Sequence, residues 1–422
     1  MRGSLSAILL AMTLLPTWAL SQSGNSGYPA ILPLKARLRQ AEGYQRRKRQ
    51  TANISEPLSN WYSGTDLQAS FKIRESPAGP HLKLIHDIKW YGELNVGTPP
   101  QTLTVVFDTG SSDLVIPSTQ CDANPGCTGL RHRFAPEKSE TFTSLNGSFR
   151  ISYSTGTGVA ASGNVEIEGL ISRDTIAVAG LQVQDFQFGL ITNQSAAFGV
   201  DPFDGIVGMG FPSGLTTGPQ TFLGGINSSG QVPEAIYGLY LTPQSVGHAE
   251  ISLGGVDSSK LTSDINYIPV FPVTGQFNGT FDKVYVDKRA ANVSSNYVIY
   301  DSGTANIVAP KNDAEEIYAM ISPEIKPIDA VGTYGIPCSK LKDIKSSISF
   351  TIGGRNYTIP SQELSVGSIS DQPGICQTLI NSSGDDQANS LWVIGGSLLK
   401  YYYTVWDIEN ARFGLAQTLH SP

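Results

Sequence analysis

The sequence is poor in histidine. It has five, scattered, and contains neither His-Glu-x-x-His nor Gly-x-Ser-x-Gly. That leaves no support for a zinc peptidase or a serine hydrolase. Charge is scarce too, at 15% of the residues, whereas Gly alone accounts for 44 of 422. Helical periodicity is rare and no βαβ alternation appears. The chain reads as all-β and rich in turns. Beyond the N-terminus no segment approaches 18 apolar residues, so a membrane span is not expected. The C-terminal Thr418-Leu419-His420-Ser421-Pro422 carries no hydrophobic tail, which argues against a GPI anchor.

At 422 residues the chain is too long for one ordinary core, so two lobes are expected. Its formal charge is −7, unevenly spread. Residues 1–49 hold 8 Lys/Arg against 1 Asp/Glu, leaving 21 basic and 35 acidic residues in the rest. An acidic body argues against nucleic-acid binding. It suits work at low pH, where carboxylates lose charge.

What is present is a repeat. Phe107-Asp108-Thr109-Gly110-Ser111-Ser112-Asp113-Leu114-Val115-Ile116-Pro117 is matched, 193 residues on, by Tyr300-Asp301-Ser302-Gly303-Thr304-Ala305-Asn306-Ile307-Val308-Ala309-Pro310. Each copy reads aromatic, Asp, hydroxyl, Gly, hydroxyl, then an apolar strand ending in Pro. A second pattern follows each copy: Ile206-Val207-Gly208 and Val393-Ile394-Gly395. A repeat at this distance implies two similar lobes, each presenting one acid.

With these motifs the chain resembles a pepsin-like aspartic endopeptidase of the fungal, secreted type, from about Trp90 to Leu415. Further landmarks are Tyr91-Gly92-Glu93, Val96-Gly97-Thr98-Pro99-Pro100-Gln101, Leu253-Gly254-Gly255-Val256-Asp257, Tyr403-Thr404-Val405-Trp406-Asp407 and Phe413-Gly414-Leu415-Ala416. One Asp-Thr-Gly alone is a weak signal, since the tripeptide recurs by chance and reads as a capped turn. Two in symmetric context, with these landmarks, are specific. The resemblance implies a bilobal fold of two β-barrel-like lobes around a cleft, with no metal or organic cofactor. Its substrate would be an extended peptide or protein.

The chemistry follows from two carboxylates. Amide hydrolysis needs an activated water and a proton for the leaving nitrogen, and two acids sharing one proton supply both. Like charges held close cannot both ionise, so the pair, Asp108 and Asp301, titrates as a unit. Gly110 and Gly303 let the backbone approach closely. The resemblance has Thr109 and Ser302 bonding across the lobe interface, with Ser111 and Thr304 bonding the carboxylates from outside. It also places a flap hairpin at Tyr153, Ser154 and Thr155, over the cleft. Two positions depart from the family pattern. Val115 stands where a Trp usually bonds the flap Tyr hydroxyl, and Ser154 where Gly usually follows that Tyr. Val106, Ile206 and Ile299 read equally as subsite walls or plain core. The resemblance implies cleavage between hydrophobic residues.

Along the chain, residues 1–21 read as a secretory signal with Arg2, an apolar run Leu5–Leu15 and small Ala19 and Ser21. Residues 22–49 read as a basic propeptide ending at Arg46-Arg47-Lys48-Arg49, with an extension to about residue 75 left open. A basic strand across an acidic cleft inhibits until acid protonates the carboxylates, so the propeptide is an expected partner and the protein a zymogen. By resemblance Lys35 reaches the two acids. Lobes are expected at 76–265 and 266–422, with the hinge near Ser258–Pro269. Strands are expected at Thr102–Phe107, Phe149–Tyr153, Val165–Ile167, Asp185–Leu190, Glu250–Leu253 and Ile348–Ile352. A helix is expected at Asp313–Ile321, capped by Asn312 or Asp313.

Four Cys allow three pairings, and in a secreted chain they read as disulfides, with zinc the alternative. The resemblance implies Cys121–Cys127 and Cys338–Cys376. Sequons lie at Asn53, Asn146, Asn193, Asn227, Asn278, Asn292, Asn356 and Asn381. Gly156-x-Gly158-x-x-Ala161 fits a dinucleotide fingerprint but has no βαβ unit around it. Tyr401-Tyr402-Tyr403 reads as strand packing. The expected protein is a secreted, acid-active, monomeric protease with no membrane anchor. A vacuolar address is the alternative. The rival from another class is a dead relative that binds peptides in the cleft. Such a chain is expected to lack an acid or an adjacent glycine, and both are intact here.

Overall fold

The computed structural model describes residues 69–422 except 73, 77–81, 85–88, 122–125, 128–131, 154–164, 201–202, 244, 247–248, 331, 370–371 and 384–390. The signal, the basic propeptide, Lys35, Asn53, Ser154 and Thr155 lie outside the described residues.

Strands dominate, as the turn-rich composition implies. An eight-stranded sheet is built from residues 74 to 208, and five- and four-stranded sheets from residues 277 to 394, apart from Leu82–Leu84, which joins a five-stranded one. A six-stranded sheet unites the two halves, in the order Ala69–Lys72, Glu250–Leu253, Ile236–Tyr240, Tyr402–Asp407, Arg412–Gln417, Asn266–Pro269. The first and last strands of the described residues therefore feed one sheet. Its core is aromatic. Tyr237 stacks on Trp406 at 6.1 Å, Trp406 meets Phe277 edge-on at 4.8 Å, and Phe413 stacks on Tyr300 at 4.3 Å. Flat rings of this kind bury large areas and fix the two halves against each other.

The repeat folds as a repeat. Gln101–Asp108 runs parallel to Gly205–Gly208, with Asp108 opposite Gly208, and Val115 of the outgoing strand lies antiparallel to Ile206. In the second half, Tyr297–Tyr300 runs parallel to Leu391–Ile394, and Ile307 lies antiparallel to Ile394. The glycine after each apolar pair has a packing reason. A Cβ on Gly208 would lie 2.3 Å from Ser112 C, and one on Gly395 would lie 2.1 Å from Thr304 O. Each outgoing loop passes directly over that glycine.

Glu250–Leu253 and Ile348–Ile352 are strands as read. Val165–Ile167 and Asp185–Leu190 prove to be pieces of two 14-residue strands, Val165–Val178 and Leu181–Gln194. Outward-facing Glu166, Glu168 and Arg173 interrupt the apolar pattern and hid their length. The helix starts earlier than read, at Lys311, with Pro310 in the cap position and no side-chain cap bond. Asp313 is not its cap. It shares the inward face with Ala314, Ile317 and Tyr318, and accepts from Ser294 N at 2.6 Å and Trp392 Nε1 at 3.1 Å.

Both expected disulfides form, and no free cysteine remains among the described residues. Asn146, Asn193, Asn292 and Asn356 are exposed, while Asn227 and Asn278 are half-buried. Asn381 is 7% exposed and accepts from Gln377 Nε2 at 3.3 Å. The three tyrosines pack as read, and each hydroxyl is used. Tyr401 donates to Glu363 Oε1 at 2.7 Å, Tyr402 to Thr358 O at 3.2 Å, and Tyr403 accepts from Asp257 N at 2.9 Å.

Beside Tyr401, Lys400 and Glu363 form an ion pair at 2.7 Å, with side chains 1% and 5% exposed. Breaking a buried pair strands a charge. Glu363→Ala is expected to lower unfolding stability by about 3–5 kcal/mol, read from the urea midpoint.

Candidate active site

Asp108 closes its strand, and Thr109-Gly110 turn the chain back at once. Gly110 N donates to Asp108 Oδ1 at 2.9 Å, and Ser111 Oγ donates to Asp108 Oδ2. The second copy repeats this. Gly303 N donates to Asp301 Oδ1 at 2.8 Å, and Thr304 Oγ1 to Asp301 Oδ2 at 2.5 Å. Each carboxyl is thus gripped by its own loop, from the residues two and three positions on.

The loops then hold each other. Thr109 N donates to Ser302 Oγ at 3.1 Å, and Ser302 N to Thr109 Oγ1 at 2.8 Å. The same hydroxyls donate onward, Thr109 Oγ1 to Tyr300 O at 3.3 Å and Ser302 Oγ to Phe107 O at 2.7 Å. A hydroxyl both accepts and donates, which is why Thr and Ser serve equally. From below, Tyr237 donates to Met209 O at 2.9 Å, and Met209 N donates to Asp108 O at 2.8 Å. The central sheet therefore supports the first loop.

The glycines bring the acids together. A Cβ on Gly110 would sit 2.6 Å from Asp301 Oδ1. One on Gly303 would sit 2.3 Å from Asp108 Oδ1 and 3.2 Å from Asp301 Oδ1. Each acid packs where the opposite loop lacks a side chain, and one point touches both inner oxygens.

The acids are 7% and 6% exposed. Burial first, then the charge of Asp301, pushes the Asp108 carboxyl well above the ordinary carboxylate range, while the Ser111 and Gly110 bonds oppose the rise. The sign for stability follows. A raised folded pKa lends stability that is complete below the ordinary value and lost as the pH rises through the raised one. Ser111→Ala removes a bond to the ionised form. It is expected to move the alkaline limb of kcat/KM to higher pH, checked by a pH series on one peptide.

Tyr153 ends the described part of Thr143–Tyr153, which pairs with Val165–Val178 to form a hairpin. Burial, then Asp108 and Asp113, raise its hydroxyl pKa well above the usual value. Val115 is fully buried. It lies with Val106, Ile206, Phe149, Phe198 and the Cys121–Cys127 pair in one apolar cluster, against which Tyr153 packs. Val106, Ile206 and Ile299 keep 6%, 8% and 7% exposure where neighbouring strand residues have almost none.

Sequence reasoning passed over Asp113. It is buried and accepts from Thr216 N at 3.0 Å, Thr217 N at 2.7 Å and Thr217 Oγ1 at 2.6 Å, so it fastens that segment to the first loop. A signal was present, since both copies carry a polar residue five positions after the acid, Asp113 and Asn306, and both are buried. Phe198 left no signal.

Comparison with known proteins agrees with this geometry. Residues 89–418 match the family described as "Eukaryotic aspartyl protease". The chain is 32% identical to "Embryonic pepsinogen" of Gallus gallus over 335 residues, covering 79% of this chain and 81% of that protein. It is 30% identical to "Cathepsin E-B" of Xenopus laevis over 353 residues, 82% and 84% of the two chains. It is also 30% identical to "Pepsin A" of Suncus murinus over 362 residues, 85% and 87%.

Proposed function

This chain belongs to the eukaryotic aspartyl protease family, and from that premise we propose that Asp108 and Asp301 share one proton and activate the water that hydrolyses a peptide bond. That the chain is an aspartic endopeptidase, hence a hydrolase, follows from the family and its pepsin relatives. The observation that carries the catalytic assignment is the crossed packing, in which each acid fills the space beside the other loop's glycine.

The pair titrates as a unit, and the step is written with the proton on Asp108, whose neutral form burial and then the Asp301 charge favour. Asp301 is the base. It takes a proton from water as the water oxygen bonds to the scissile carbon, while Asp108 gives its proton to the carbonyl oxygen. The tetrahedral diol then collapses. The C–N bond breaks, Asp301 hands its proton to the leaving nitrogen, and Asp108 recovers a proton from a diol hydroxyl. The pair returns to its starting state with no covalent intermediate.

Supporting roles fall to Thr109 and Ser302 across the loops, to Ser111 and Thr304 on the carboxyls, and to Gly110 and Gly303. Tyr153 stands on the flap, with Ser154 and Thr155 beyond the described residues. The substrate is an extended peptide with hydrophobic residues on both sides of the cut, which Val106, Ile206 and Ile299 are placed to meet. The chain divides near 265/266, with the six-stranded sheet shared. Ala69–Lys72 and Arg74–Ser76 supply strands to two sheets, which supports placing them with the body of the protein. The propeptide is the inhibitor and the mature protein is secreted and monomeric. Among the described residues no helix is long and apolar enough to cross a membrane.

The test is cleavage of an acid-denatured protein by the matured chain from acid to neutral pH, with and without pepstatin. Acid-dependent cleavage that pepstatin abolishes supports the reading. Cleavage that pepstatin leaves untouched contradicts it.

A further inference from the structure

Tyr153 lacks the tie that the family pattern leads one to expect. Its hydroxyl oxygen is buried and has no hydrogen-bond partner among the described residues. Val115, in the cluster against which Tyr153 packs, has no polar side-chain atom. The cluster around the ring is apolar. What the ring does have is an aromatic neighbour. Tyr153 meets Phe198 edge to face, with centroids 5.9 Å apart and planes at 83°.

Phe198 is itself well anchored. It sits in the short 3-10 turn Ala196–Val200, and its N donates to Ser195 O at 3.1 Å. Ser195 is bonded twice to Glu166, through Ser195 N to Glu166 O and Glu166 N to Ser195 Oγ, both at 2.9 Å. Glu166 follows Val165, the residue paired with Tyr153 on the returning limb of the hairpin. Next to Ser195, Gln194 Nε2 donates to Gly126 O at 2.6 Å, beside the Cys121–Cys127 bond. Phe198 is therefore clipped to the strand that pairs with the end of Thr143–Tyr153.

We infer that Phe198 is a positioning residue for the flap. Its ring holds the Tyr153 ring, and through it the end of the strand Thr143–Tyr153, by an aromatic contact where a hydrogen bond would otherwise serve. This rests on the dyad reading above and adds how the cover of that site is set. Phe198 acts through Tyr153 and needs no contact with the scissile bond. An edge-to-face pair is worth about two- to tenfold in an equilibrium.

The test is a double-mutant cycle on the matured protein, which separates a pairwise contact from general packing. Phe198→Leu keeps the apolar volume and removes the ring, so the core is retained. It is made in the wild type, in Tyr153→Phe and in Tyr153→Ala. kcat/KM for one peptide and the Kd of pepstatin are both measured. Phe198→Leu is expected to lower kcat/KM and to raise the pepstatin Kd, each about three- to tenfold, in the wild type and in Tyr153→Phe, where the ring remains. In Tyr153→Ala its effect falls below about twofold. An equal loss in all three backgrounds would make Phe198 a core residue only and overturn the inference. So would a loss that vanishes in Tyr153→Phe, because the hydroxyl would then carry the position. If the matured wild type neither cleaves the peptide nor binds pepstatin, the dyad reading fails first and this inference falls with it.

Discussion

Asp108→Asn and Asp301→Asn each lower kcat by about 10³- to 10⁴-fold, the scale of a lost general acid or base. KM for the same peptide changes little, since extended-peptide binding rests on the flap and the cleft walls. Asn keeps the size of the side chain and can still meet Gly110 N or Gly303 N through its carbonyl oxygen. It can neither accept a proton from water nor hold the shared one. Either substitution therefore leaves the loops in place and removes the chemistry. Both variants fold as the wild type does or better at neutral pH, because each leaves one buried carboxyl where two stood, ending the repulsion that raises the Asp108 pKa. Steady-state kinetics with far-UV circular dichroism and urea midpoints check both halves of this expectation. Loss of folded signal in step with activity would show that the acids are structural.

Gly303→Ala is expected to lower kcat about 10²-fold without removing any catalytic atom. The added Cβ would stand 2.3 Å from Asp108 Oδ1, closer than non-bonded atoms approach. Two responses are open. Asp108 can swing away, but Gly110 N and Ser111 Oγ hold it. Otherwise the second loop can back off, but the Thr109–Ser302 bonds hold that. Either response displaces one carboxyl relative to the other by a large part of an ångström, and misplacement near 1 Å costs about 10²-fold. Stability falls by about 1–3 kcal/mol, the usual result of overpacking. Gly110→Ala behaves alike, its Cβ meeting the Asp301 carboxyl at 2.6 Å. Kinetics at the pH optimum, set beside the urea midpoint, separate the two effects. A kcat within threefold of wild type would mean that the acids are not held in this crossed arrangement.

The centre of the site was legible because its grammar is local. Acid, hydroxyl, glycine and outgoing strand are contiguous, so the carboxyl, its two donors and the turn stand together in sequence as they do in space. The apolar pair with its glycine was legible as a repeat, though the reason for the glycine lay in a loop passing over it. What escaped depends on distant contacts. Asp313 looked like a helix cap, yet its partners Ser294 and Trp392 lie 19 and 79 residues away. Asn381 carries a sequon, which is a tripeptide rule, but burial is decided by the sheet around it. Phe198 is one apolar residue among many until the hairpin folds beside it. The six-stranded sheet joins strands as far apart as Ala69–Lys72 and Arg412–Gln417, and no short-range pattern reports such a union. Val115 shows the opposite case. Its departure from the family pattern was visible at once, and only the fold showed that Tyr153 meets the Phe198 ring.

The central claim is that two buried aspartates share one proton. The most direct test is the pH dependence of kcat/KM for the matured wild type on one peptide. The account predicts a bell, with its acid limb reporting ionisation of the base and its alkaline limb lying above the ordinary carboxylate range. A profile that rises to a plateau at neutral pH would contradict it, because a doubly ionised pair has no proton to give the carbonyl oxygen.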